Sequence, residues 1–450
     1  MKLSLKILYK KLGIHKIKND KAKKIINNSS WLVSDKIFTL LLGVFVSAIT
    51  ARYFGPEQFG QFNYALAFVS LFTAFSTLGL EVLTVKSLVE KEFDEGTILC
   101  TSLFLRIFGG VFLTIFTTLI IRLIEPKDYN LQIIVLIMSF SMTIKSLDVI
   151  EYWIQAHQKA KVSSIIRMVV TIITSILKIL LVLLKGNLIL FACIYTVDAI
   201  IISFALLIAY FKIRESKSNW RFNLFYAKNI MSQSWYLIIS GLMITLYMRL
   251  DQVMLGYMFP NKGVLGIYSA AVRIAEMWYF VPMAVITSFR PVIMSTRKIN
   301  EKSYLKSLQL LYSIVTWIGI CFGLIILLLS KPAITLLYGQ EYIGAYRILS
   351  VSVWTGVFAT IGSARSIWLL CEGLQRYSLI QTFSGLIINF TLNLFLIPRY
   401  GAYGAAIATL MAQFFANIII FGFFKRTRIS FEMVLKSFNP MIFLNRKKEL

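Results

Sequence analysis

Apolar residues run along this chain in long blocks, separated by short polar stretches, from about residue 30 to residue 424. A helix needs roughly 20 apolar residues to cross the hydrocarbon of a bilayer, with a range of about 17–25. Twelve blocks meet that length: 30–51, 62–85, 99–121, 131–154, 164–184, 188–211, 230–257, 267–288, 307–329, 346–370, 379–397 and 404–424. A membrane barrel would instead show segments of about ten residues with alternating polarity. The first block follows a polar N-terminal stretch and is long enough to span, so it reads as a retained helix rather than a cleaved signal. No stretch between blocks is long enough for a separate soluble domain.

Composition agrees. Of the 450 residues 58% are hydrophobic and 15% charged, and the mean hydropathy is +0.73. Soluble chains are about 45–50% apolar and about 25% charged, and disordered chains are far more polar. The net charge of +26 would suggest nucleic acid in a soluble domain. Here the basic residues alternate in sidedness. With the N-terminus inside, the inner segments hold 32 of the 47 Lys and Arg, the outer loops hold 8, and 7 lie within spans. Cytoplasmic loops carry this excess in membrane proteins. The charge therefore places both termini in the cytoplasm and calls for no nucleic-acid partner. The basic tails are expected to lie against anionic head groups.

A weak repeat is present. Ser30-Trp31, Tyr53 and Pro56 recur as Ser234-Trp235, Tyr257 and Pro260, and the stretch from Gly60 is echoed from Gly266. Six spans per half is an even number, so both halves share one orientation and are related by an axis along the membrane normal, with a cavity between them. The fold expected is an all-α polytopic membrane protein of twelve helices in two six-helix bundles around a central cavity. Its parts are a basic cytoplasmic tail at 1–29, a first bundle at 30–211, a basic linker at 212–229, a second bundle at 230–424 and a basic tail at 425–450. Gly404, Ala408 and Ala412 form a small-residue stripe suited to close helix packing.

Charges within the spans carry the functional signal. The basic ones are Lys36, Arg106, Lys145, Lys178, Arg249, Arg273 and Arg365; the acidic ones are Asp35, Glu81, Asp148, Glu151, Asp198, Asp251 and Glu276. Each costs roughly 2.5–3.5 kcal/mol at a helix centre, so all fourteen facing lipid would cost on the order of 40 kcal/mol. Most must face water, pair, or snorkel. Lys145, Asp148, Glu151 and Gln155 step by three and four along one helical face. Lys145–Asp148 and Arg273–Glu276 have the spacing of neutralising pairs, whereas Arg106 and Lys178 read as snorkelling. Arg249 and Arg365 have weaker local neutralisation and point to a cavity. Asp35–Lys36 suits a stabilising or gating pair as well as a binding site.

Other chemistry is thin. Cys100, Cys193, Cys321 and Cys371 show no paired spacing and read as small core residues rather than disulfides or metal ligands. His15 and His157 lie in polar stretches, which leaves no basis for a metal site, a catalytic triad or a cofactor. No phosphate-binding loop of the GxxxxGK[ST] type is present. A transporter fits better than an enzyme.

The stretch ITARYFGPEQFGQFNYALAFVSLFTAFSTLGLEVLTVKSLV (49–89) resembles the opening of bacterial polysaccharide repeat-unit flippases. These are the O-antigen and capsule lipid flippases of the multidrug/oligosaccharidyl-lipid/polysaccharide exporter superfamily. The residues that carry it are Ala51, Arg52, Gly55, Pro56, Gly60, Gly79, Leu80 and Lys86, the last standing where Arg is commoner. RLDQVMLG (249–256), YSAAVRIAE (268–276), LLYGQEY (336–342) and IPRYGAYGAAIAT (397–409) follow in family order.

The resemblance implies two bundles around a V-shaped cationic cavity with alternating access. The cargo would be an undecaprenyl-pyrophosphate-linked oligosaccharide, carried from the inner to the outer leaflet of the bacterial cytoplasmic membrane. Membrane lipids, a proton or sodium ion, a polysaccharide polymerase and its chain-length machinery would be the partners. Arg and Lys suit a diphosphate, which makes Arg249, Arg273, Arg365, Lys145, Lys36 and Arg52 the substrate candidates. Asp251, Glu81, Glu276 and Asp148 are the ion-coupling candidates. The alternatives are a multidrug cation antiporter of the same superfamily, and a membrane glycosyltransferase or polymerase. The first should have an acidic, aromatic site, and the second a large catalytic outer loop.

Overall fold

The computed structural model describes residues 20–440 except 92, 215–217 and 298–299. The described residues are helical and include no strand. Ten of the helices are long and apolar enough to cross a membrane, which makes this a multi-pass membrane protein. The twelve sequence blocks become ten because two pairs are joined at glycines. Helix α1 (Asp20–Leu71) carries the first pair and leaves helical geometry at Gly55, with φ 69°. Helix α14 (Arg376–Asn417) carries the last pair and does so at Gly401, with φ 57°. Left-handed backbone costs other residues about 1–2 kcal/mol, and glycine adopts it freely. The chain folds back at the second break, where Asn389 Nδ2 donates to Thr409 Oγ1 at 3.3 Å. In one continuous helix those residues would lie about 30 Å apart.

The second crossing continues as α2 (Thr73–Thr77) and α3 (Leu80–Glu90), with left-handed residues at Leu78 and Gly79 between them. A break at bilayer depth needs partners for its freed carbonyls. Two hydroxyls of α9 (Leu224–Met258) supply them: Thr245 donates to Leu71 O at 2.9 Å, and Ser234 donates to Leu78 O.

The other crossings are regular. They are α4 (Glu95–Ile124), α5 (Tyr129–Ile144) extended through a 3₁₀ turn into α6 (Val149–Ala156), α7 (Ala160–Leu183) and α8 (Leu188–Ile213). In the second half, α10 (Gly263–Glu276) continues into α11 (Phe280–Arg297), followed by α12 (Glu301–Tyr338) and α13 (Ala345–Cys371). Side chains of Asp94, Asp128, Asn187, Asn223 and Asn300 cap five N-termini by accepting backbone N–H groups. Large apolar residues such as Leu123 and Leu328 stand about four-fifths exposed on the outside, as a lipid-facing surface requires.

The cores define the architecture. One apolar cluster joins both halves at the end away from the basic loops; it includes Ala51, Phe59, Tyr64, Ile134, Leu255, Tyr268, Tyr338 and Ala405. At the basic end there are two separate clusters. One belongs to the first half, with Leu83, Ile98, Trp153 and Tyr210. The other belongs to the second half, with Ile293, Leu308, Trp368 and Phe421. The lobes therefore meet at one end and part at the other. α1 packs closely along α10 but barely touches α11, so the lobes part along that flank. On the opposite flank, Gly79 lies against Leu237 and the α9 hydroxyls close the seam.

Two sequence-drawn boundaries differ from this arrangement. The first turns of α9 bury Tyr226 and Ile230 in the first lobe's core, so the helix starts inside the expected linker and belongs to both lobes. The expected C-terminal tail includes a docked helix, α15 (Arg428–Ser437), whose Ser430, Met433, Val434 and Ser437 are buried. The echo at Gly60 and Gly266 acquires a location, since these two glycines meet where the lobes join. A Cβ on Gly60 would fall 1.8 Å from Lys262 O, and one on Gly266 would fall 2.0 Å from Pro56 O.

Candidate functional site: the cleft between the lobes

Arg273 sits at the apex, where the shared core ends. Its Nη1 donates to Ser47 Oγ at 2.9 Å, across the lobes from α10 to α1. Arg249, on α9, reaches Gln252 Oε1 at 3.5 Å. Glu276 lies within electrostatic reach of both guanidiniums, with Arg249 the stronger influence. Arg249, Arg273 and Glu276 are half-buried. No ion pair joins Arg273 to Glu276 among the described residues, so the one-turn spacing does not produce the neutralising contact it suggests. This cluster is the positive part of the cleft.

The first lobe contributes a second cluster. Glu151 and Arg167 form a tight ion pair. Asp148 and Glu81 act electrostatically on Glu151, and Arg167 acts on Asp35. Gln155 Nε2 donates to Glu81 Oε1 at 3.2 Å, and Asp35 accepts from Thr39 at 3.3 Å. Lys36 is exposed and Lys145 half-buried. Lys145 and Asp148 lie on the 3₁₀ turn Lys145–Asp148 and form no ion pair, because that turn breaks the α-helical stacking their spacing assumed. One Asp148 oxygen is buried without a hydrogen bond. Acidic and basic groups are thus interleaved on this wall, whereas the apex contributed by the second lobe carries Arg249 and Arg273 with Glu276.

Three candidates lie elsewhere. Arg365 is fully buried. Its Nε donates to Ser430 Oγ at 3.0 Å, its Nη1 donates to Asn417 O, and its guanidinium stacks 3.9 Å from the Phe421 ring centroid. It anchors α15 and does not line the cleft, because the hydroxyl, carbonyl and ring that hold it come from segments the sequence does not place beside it. Arg52 is exposed at the closed end, where Nη2 donates to Thr335 O at 3.2 Å and to Leu336 O in the last turn of α12. Asp251 is buried inside the second lobe and accepts from Thr409 Oγ1 at 2.6 Å and from Tyr268 Oη. Thr409 also accepts from Asn389, which accepts from Asn393 at 3.1 Å. Arg106, expected to snorkel, is instead buried against Tyr152, donating to its hydroxyl at 2.9 Å. Among the cysteines, only Cys100 is buried, Cys321 is exposed, and all four are free.

Two important residues escaped the sequence reading. Arg167 lies two turns inside α7, which begins four residues before the apolar block suggests. Its spacing from an acid-rich neighbouring helix was the available signal. Lys262 looks like an ordinary loop lysine, yet it is buried. Its Nζ reaches Glu125 Oε1 at 2.7 Å and Gly256 O at 2.6 Å, and lies 5.0 Å from the Tyr64 ring centroid. It ties the lobes together at the closed end.

Comparison with known proteins gives a consistent picture. A family profile described as polysaccharide biosynthesis protein matches residues 25–297. The capsular polysaccharide biosynthesis protein CapF of Staphylococcus aureus is 24% identical over 410 residues, covering 89% of this chain and all of that one. The lipid II flippase MurJ in an inward closed conformation superposes with a TM-score of 0.72 at 17% identity, over 93% of each chain. An inward-facing multidrug resistance MATE transporter also gives 0.72, at 15% identity, over 88% of this chain and 94% of that one. At these identities the structural likeness concerns the fold, a two-lobed transporter of twelve helices.

Proposed function

The chain belongs to the polysaccharide biosynthesis protein family, and from that membership we propose that it flips lipid-linked oligosaccharide by alternating access. It is a membrane transporter and not an enzyme. The cargo proposed is an undecaprenyl-pyrophosphate-linked repeat unit, taken up from the leaflet at the basic end and released at the other. The observation that carries this reading is the guanidinium of Arg273 at the point where the lobes part, 2.9 Å from Ser47 of the opposite lobe, with Arg249 beside Glu276. A diphosphate needs charge-assisted donors that are partly withdrawn from water. Two arginines of one lobe, one of them touching the other lobe, can exchange Ser47 and Glu276 for phosphate oxygens. Binding at that point then connects to lobe movement.

The parting between α1 and α11 suits the lipid tail, which can stay in the bilayer while the headgroup enters. Lys36 and Lys145 are secondary contacts on the opposite wall. Moving about two negative charges outward is favoured by an inside-negative potential at roughly 2.3 kcal/mol per charge per 100 mV. Asp251 is the coupling group proposed, because it is a carboxylate buried among hydroxyls; Asp148, Glu81 and Glu276 are further candidates. A drug-cation antiporter is less well supported, since arginines occupy the apex.

The test is complementation of a flippase deletion strain. Arg249→Ala and Arg273→Ala are expected to abolish surface polysaccharide while the protein remains at normal abundance in the membrane. Full export by both variants would overturn the assignment.

A further inference from the structure

We propose that the closed end of the first lobe carries a saccharide-binding pocket separate from the cleft. It rests on the reading that the cargo is a glycan, and it assigns that glycan a second contact beyond the cleft. The pocket has a volume of about 440 Å³ and forms where four segments of the chain meet. The end of the first crossing supplies Tyr53 and Phe54, and the start of the second supplies Gln58 and Gln61. The first turn of α5 supplies Asn130, and the turn between α7 and α8 supplies Lys185. Small-ligand sites usually run from about 300 to 1,000 Å³ and join apolar walls to a few placed polar groups.

The chemistry of the lining selects the ligand. Tyr53 and Phe54 pack edge to face at 4.8 Å, and the Tyr53 hydroxyl is engaged by donating to Gly186 O at 3.0 Å. The rings are therefore held in place and offer apolar surface. Gln61 Nε2 donates to both Asp128 oxygens, at 3.0 and 2.8 Å, which fixes the amide and leaves its carbonyl oxygen as an acceptor. The side chains of Gln58, Asn130 and Lys185 are exposed and make no hydrogen bond or ion pair among the described residues. An acyl chain would desolvate three amides without replacing their hydrogen bonds. A diphosphate would call for more than one cation. A hexose offers a C–H face for the rings and a circle of hydroxyls for the amides, and a carboxylate on the sugar would meet Lys185.

Saturation-transfer NMR on the full-length protein in nanodiscs tests this, with glucose, N-acetylglucosamine and glucuronate as separate probes. Saturation is expected to reach glucuronate most strongly and the neutral sugars more weakly. The double variant Gln58→Ala/Asn130→Ala alters exposed, unbonded side chains and spares the fold. It should weaken binding of all three sugars about tenfold, as expected for the loss of two ordinary hydrogen bonds. Lys185→Gln should reduce glucuronate to the level of glucose and leave glucose unchanged. Absence of transfer to every sugar, or transfer unaffected by the double variant, overturns the pocket. A glucuronate preference that survives Lys185→Gln overturns the role of the ammonium. The readout needs no transport, so its failure leaves the Arg249 and Arg273 export test standing, and failure of that test leaves this one standing.

Discussion

The Lys262 ammonium lies 2.7 Å from the Glu125 carboxylate, and the two residues belong to different lobes. Both are largely withdrawn from water at the closed end, and Lys262 also reaches the Gly256 carbonyl. Removing one partner of a buried pair leaves the other charge uncompensated, which costs more than the pair contributes. Lys262→Gln should favour separation of the lobes at this end by on the order of 2 kcal/mol, about 30-fold in the conformer ratio. Spin labels at residues 127 and 331, in a background without the native cysteines, measure the distance directly. An unchanged distribution would show that the ion pair does not hold the gate.

The glycine contact beside it is less forgiving. A Cβ on Gly60 would lie 1.8 Å from a backbone carbonyl, and the same applies at Gly266, so no side-chain rotation relieves the clash. Gly60→Val should abolish surface polysaccharide while the protein still inserts. Gly43→Ala is the matched control, because nothing lies within 4 Å of its Cβ. Export and membrane abundance are measured together. Wild-type export by Gly60→Val would mean that the lobes need not approach this closely.

Arg365 separates a structural from a transport role. Arg365→Ala strands the Asn417 carbonyl, leaves the Ser430 hydroxyl to Tyr312 alone and removes the cation over Phe421. The loss is about 2–4 kcal/mol for a buried charged hydrogen-bonding group. The expected phenotype is low abundance and a lowered thermal midpoint in detergent, with α15 opened to proteolysis. Arg365→Lys should not rescue it, because one ammonium cannot serve both acceptors and also lie flat on the ring. A stable Arg365→Ala protein with defective substrate binding would contradict this assignment.

Asp251→Asn keeps an acceptor for Tyr268 and Thr409 but removes the charge. The protein should remain folded and still bind substrate, while flipping in proteoliposomes no longer responds to an imposed sodium or proton gradient. A gradient response equal to wild type would remove Asp251 from the coupling path.

The twelve crossings were readable because each is a local property: a run of apolar side chains of bilayer length needs no partner to be recognised. The polar gaps between the first two blocks and the last two were readable too, but that the breaks fall at Gly55 and Gly401 came only from the structure. The intramembrane charges could be enumerated but not sorted. In one dimension Arg273 has a neutralising neighbour one turn away in Glu276 and Arg365 has none, which would send Arg365 rather than Arg273 to the cleft. One stands at the apex of the cleft and the other is enclosed under α15. Sorting them required Ser47, 226 positions away from Arg273, and Ser430, 65 positions away from Arg365.

Hydropathy and loop charge therefore determined the class and the number of crossings of this chain, since these depend on each segment's own transfer free energy into lipid. Which lobe end is closed, which arginine meets the cleft, and that Lys262 and Gly60 lie where the lobes join were decided only by tertiary structure. Charge pairing and close backbone approach are relations between distant residues, and their energies exist only once the two lobes have been brought together.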